Sequence, residues 1–168
     1  MKRIFVLLLS AVLALGCVTA LAAEPLTADD LVLTLGDEDF ELGCPAADMV
    51  KAAEKLLGRL TKSEADSCMF DGKDREWTND AITIGSYPIG EGKSDVVESV
   101  IVTTDTLQTA RGVMTGMSKQ DIITLYGEGT EDWDQLTYRT EEGPMIIFTF
   151  DLDTQQLLSW MLLKDTTR

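Results

Sequence analysis

The chain has 168 residues, with 14 Lys plus Arg against 29 Asp plus Glu, a net charge of −15, three Cys and no His. Lacking histidine, it has no Ser-His-Asp or Cys-His nucleophile system, no imidazole zinc site and no side chain that titrates near neutral pH in its ordinary state. So negative a field repels phosphate backbones and anionic lipid, which argues against nucleic-acid binding and leaves solubility or a cationic partner as its uses.

Residues 1–23 read as an export signal: Lys2 and Arg3, an apolar stretch from Ile4 to Leu15, then Ala20-Leu21-Ala22-Ala23. A charged start, a short apolar middle and an A-x-A end describe a cleaved leader rather than a membrane helix. No second apolar run of spanning length follows. Removing these residues takes away two bases and no acid, which moves the net charge from −15 to −17. Leu13-Ala14-Leu15-Gly16-Cys17 also has the look of a bacterial lipobox, with its leucine one residue too close to Cys17. Secretion and lipid anchoring at Cys17 are both open. Cys44 and Cys68 then remain as an even pair in an exported chain, which predicts a disulfide.

Residues 24–30, Glu-Pro-Leu-Thr-Ala-Asp-Asp, read as a linker. Residues 31–35 alternate towards the turn Gly36-Asp37-Glu38-Asp39, and 40–42 return as a hairpin partner. Ala46, Met49, Val50, Ala53, Leu56 and Leu57 recur at offsets of three and four and predict a helix, with Pro45 in its first turn and Gly58 just past its end. Strands are predicted at 67–70, 75–78, 81–87 and 96–104, separated by hairpin-scale turns, so the sheet is antiparallel. In the second half Ser118 and Asp121 form a capping-box start for a helix that closes at Tyr126-Gly127. Strands follow at 135–139, 145–150 and 157–163.

The two halves align. Residues 42–50 match 115–123 at Gly, Asp and two apolar positions; 81–84 lie against 145–148, and 99–105 against 159–165. Three windows in the same order predict a tandem duplication. The expected class is α+β: two repeats, 31–105 and 106–168, each a helix packed on an antiparallel β-sheet. The run Gly116-Met117-Ser118-Lys119-Gln120-Asp121-Ile122, then Tyr126-Gly127 and the strand Leu136-Thr137-Tyr138, resembles the repeat of the β-lactamase inhibitory proteins. It is also similar to small outer-membrane assembly lipoproteins of the SmpA/OmlA type. The resemblance implies a helix on one sheet face of each unit and the other face left for proteins. No β-lactamase-contacting residue carries over, so inhibition is not implied, and folds of this kind host unrelated roles.

The acidic groups Asp37-Glu38-Asp39 with Glu41, Asp132 with Asp134, and Asp151 with Asp153 sit where turns are expected. Turn capping accounts for them better than calcium, since none has EF-hand spacing. No motif calls for a metal or another cofactor. In the strand 145–150, Ile146, Phe148 and Phe150 share a face, as do Ile82, Ile84 and Ser86 in the matching strand; these are the expected core. Tyr87, Arg139 and Thr149 then fall on the exposed sheet face, with Trp77 and Trp133 at edges or loops, and Tyr, Trp and Arg are the side chains that anchor interfaces. Trp160 is expected in the core. The expected role is a non-catalytic protein-interaction module, at the cell surface or outside the cell, with a protein or cell-wall partner. Two other readings stay open: a hydrolase of glycan or peptide using paired carboxylates between the repeats, and a structural envelope lipoprotein.

Overall fold

A computed structural model describes residues 24–89 and 95–164. The expected leader, its cleavage site and Cys17 lie outside the described residues.

A short 3-10 turn, Ala28–Leu31, leads into the hairpin β1 (Val32–Leu35) and β2 (Glu38–Glu41). Helix α1 (Ala46–Leu57) is followed by β3 (Thr61–Asp66), β4 (Lys73–Thr78), β5 (Ile82–Pro88) and β6 (Asp95–Val102). Helix α2 (Lys119–Tyr126) is followed by β7 (Thr130–Asp132), β8 (Gln135–Arg139), β9 (Met145–Phe150) and β10 (Leu157–Leu163). Both helices end at a glycine with positive φ, Gly58 at +84° and Gly127 at +81°, whose N–H closes on Glu54 and Ile123 respectively. Such a residue stops a helix because the left-handed conformation suits a residue with no Cβ.

The expected pair of helix-on-sheet repeats is not what the strands build. They form one antiparallel sheet of eight strands, in the order β3-β4-β5-β6-β10-β9-β8-β7, and the molecule is mostly β with two α-helices among the described residues. The join is β6 against β10, where Ser99 to Val102 pair with Leu163 to Trp160. The physical reason is edge burial. Unpaired, β6 and β10 would each present a row of open backbone groups lined by apolar side chains; paired, they satisfy those groups and fuse the apolar surfaces.

Two rows cross this join without a break. Ile82, Val102, Trp160, Phe148 and Leu136 make one, and Ile84, Val100, Leu162, Ile146 and Tyr138 the next. Every member is buried. Helix α1 lays Met49, Ala52 and Ala53 on this surface, α2 adds Ile122 and Tyr126, and the small hairpin adds Leu33, Leu35 and Phe40. One core therefore serves the whole sheet.

Local differences are instructive. Residues 67–70, expected as a strand, are the turn between β3 and β4; the strand itself is Thr61–Asp66, exposed at every position. The cysteines are free. Backbone bonds between Gly43, Cys44 and Val97 seat Cys44 beside β6, while Cys68 sits in the β3–β4 turn. One thus lies against β6 and the other in an exposed turn, and no bond joins them. Burial, with Asp48 nearby, also pushes the Cys44 thiol pKa up.

Candidate functional site

Strand alternation sends every second residue away from the helices. Thr83, Ile101, Met161, Ile147 and Thr137 are successive cross-strand partners on β5, β6, β10, β9 and β8, and they form a row on the opposite face. Ile101, Met161 and Ile147 are its apolar centre. All three keep partial exposure, which a covering layer would remove. The buried residues of both helices and of the β1–β2 hairpin all join the core on the other side, so none of these elements covers this row.

Alongside runs a second row, Glu76, Gly85, Ser99, Leu163, Met145 and Arg139. At Gly85 it dips into a groove of about 370 Å³, lined by Ser63, Asp74, Glu76, Glu98 and Ser99 among others. A Cβ at Gly85 would stand 2.5 Å from the Ser99 hydroxyl, so a larger residue there would make the Ser99 side chain turn away. Asp74 Oδ1 is buried without a hydrogen-bond partner. The groove lies within one half of the sheet, on β3 to β6, and not at the β6–β10 join. Among the described residues no group of three or more Cys, Asp or Glu is placed to hold a metal ion.

The five residues singled out from the sequence do not converge. Thr149 and Arg139 do lie on the open face, and Arg139 donates to the Gly143 carbonyl at 2.9 Å. Tyr87 is half-buried, stacked on Phe70 at 4.9 Å with the Lys164 ammonium 5.9 Å from its ring centre. Four strand spacings part β5 from β8, so Tyr87 and Arg139 are about 19 Å apart along the sheet. Trp77 pairs with Ile84 and packs against the core, on the helix side. Trp133 stands alone at the β7–β8 turn and is 82% exposed. Ile101 and Met161 were not singled out from the sequence. Their signal was present, since β6 and β10 carry apolar residues on both faces, a pattern that reads as burial on both sides.

No family model matches the chain, and no curated protein matches it. Among solved structures, the chain is similar to an extracellular protein containing an SCP domain from Bacillus anthracis str. Ames, with a TM-score of 0.50 and 12% identity. The match covers 74% of this chain and 44% of that one, so the chain spans less than half the length of that neighbour. The uncharacterised protein YfeY from Escherichia coli aligns over 85% of this chain and 99% of its own, at 15% identity and a TM-score of 0.44. At 12% identity the likeness to the Bacillus anthracis protein speaks to the fold alone.

Proposed function

We propose that the chain is an exported, non-catalytic interaction module that presents the helix-free face of its sheet to a protein partner. The observation that carries this reading is the uncovered row Ile101, Met161 and Ile147 in mid-sheet, flanked by Thr83 and Thr137. An apolar centre with a hydroxyl rim is the anatomy of an interface that forms and dissolves. Export rests on the charged and apolar leader ending in Ala20-Leu21-Ala22, and the similar Bacillus anthracis protein is itself extracellular.

The test is affinity capture from the producing cell's envelope and medium, comparing wild type, an Ile147→Lys/Met161→Lys variant and a Lys51→Ala control on α1. A single partner kept by wild type and control and lost by the face variant, with melting temperature preserved, supports the reading. A partner indifferent to the face overturns it. So does turnover of a glycan or peptide that Glu76→Gln abolishes.

A further inference from the structure

The turn between β7 and β8 carries a residue that its backbone disfavours. Asp132 pairs with Gln135, so Trp133 and Asp134 alone make the loop. Trp133 has φ +49°, and Gln155 is the one other non-glycine residue with positive φ among those described. Two-residue hairpins place Gly, Asn or Asp at such a position, because a bulky side chain crowds the following carbonyl. The indole gains no packing in exchange. At 82% it is the most exposed large apolar side chain among the described residues, while Trp160 is fully buried. A turn needed only for folding would be better served by glycine, so the reason for tryptophan lies outside the chain.

The surroundings name the partner's chemistry. Asp132 and Asp134 flank Trp133 in the chain, and among the described residues neither carboxylate has an ion-pair partner. Glu131 next door is already paired with Lys119, whose ammonium lies 5.8 Å from the Phe150 ring centre. A cation between an aromatic face and a carboxylate is thus satisfied within the chain at Lys119 and left unfilled at Trp133. Indole is the strongest of the side-chain cation–π acceptors. The chain's net charge of −15 draws basic surfaces towards it and repels anionic lipid. β7 is the outer strand of the sheet, so an extended segment can lie along it and reach the turn.

We propose that Trp133, with Asp132 and Asp134, is the docking point for an arginine or lysine side chain on an extended basic segment of a protein partner. This rests on the reading of the chain as an interaction module and adds to it a second contact, at the sheet's edge, with a defined chemical preference.

The test follows the Trp133 indole N–H by NMR in the purified protein near physiological salt. The probes are a blocked Arg-Gly-Arg-Gly-Arg peptide, its Glu-Gly counterpart and an N-acetylglucosamine tetramer. The expected result is a saturating shift of that one signal with the arginine peptide alone. By titration calorimetry with the arginine peptide, Trp133→Gly and Asp132→Asn/Asp134→Asn each weaken binding on the order of tenfold, the scale of one cation–π contact with its charge pair, and Trp133→Gly melts no lower than wild type. Equal small shifts at every acidic loop, a response to the sugar instead, or a large loss of stability in Trp133→Gly would each overturn the proposal. The two readings fail separately. If Ile147→Lys/Met161→Lys abolishes capture while the indole ignores the peptide, the tip assignment alone is wrong; if the indole responds while capture ignores the face, the face assignment is wrong.

Discussion

Arg111 ties the start of the described chain to its middle. Its guanidinium donates to both Asp30 carboxylate oxygens at 2.7 Å, to the carbonyls of Glu24 and Pro25 at 3.0 Å and of Leu125 at 3.2 Å, and lies 4.7 Å from the Tyr126 ring centre. Arg111→Ala leaves the buried Asp30 without its counter-charge and is expected to cost about 2 to 4 kcal/mol, read by urea denaturation. Burial pushes the Asp30 carboxyl up, but the hydrogen bonds from Arg111 and Thr27 outweigh it, and the folded pKa lies below the usual value. A group depressed on folding stabilises the protein above its unfolded pKa and loses that contribution as pH falls through the folded one. Stability should therefore decline below about pH 4, where an unfolded Asp begins to protonate, and Asp30→Asn should flatten that decline. Trp133→Gly, which relieves the left-handed backbone, should raise stability by about 1 kcal/mol in calorimetry. Trp133 was legible in the sequence as an aromatic between acids; its backbone angle was not, because φ depends on the register of a hairpin whose three-residue first strand carries no apolar alternation.

At the scale of the element, legibility followed periodicity. β8, β9 and β10 match the expected bounds because apolar alternation marks them on the core face. The second helix start was equally plain: the Ser118 hydroxyl accepts from the Asp121 N–H at 3.2 Å and donates to its carboxylate at 2.6 Å. Ser118→Ala should cost about 1 kcal/mol, measured as a fall in melting temperature with helix content otherwise retained. β3 escaped notice for the converse reason. Its residues, Thr-Lys-Ser-Glu-Ala-Asp, bury nothing, and it exists because β4 offers a backbone edge. Charge then supports it: Lys62 and Lys73 hold Glu64 at a pKa of about 2, with Arg75 also within 3.5 Å. Charged residues on an outer strand discourage further strand addition there.

For the whole molecule the seam between β6 and β10 governs stability. Trp160 and Phe148 sit opposite each other in a row that spans both halves, so truncating either opens a cavity in the shared core. Phe148→Ala should cost about 3 to 5 kcal/mol, and calorimetry should still show one transition, since neither half keeps a complete core alone. Two separable transitions would contradict the single sheet. The free cysteines make a second global prediction: reductant leaves the melting temperature unchanged, and exposed Cys68 alkylates faster than the half-buried Cys44, whose thiol pKa is raised.

What the sequence determined by itself was local or compositional: the absence of imidazole chemistry, both helices with their glycine stops, most strands, and which side chains of β5 and β9 face inward. These follow from periods of 3.6 and 2 and from turn residues, which act over a few positions. The tertiary structure alone decided that two expected sheets are one, that Cys44 and Cys68 stay free, that Arg111 clasps Asp30 from 81 residues away, and that Ile101, Met161 and Ile147 line a face that no described element covers. Each of these depends on which strand edge meets which, a pairing set by the burial of whole apolar rows and invisible to any short window of sequence.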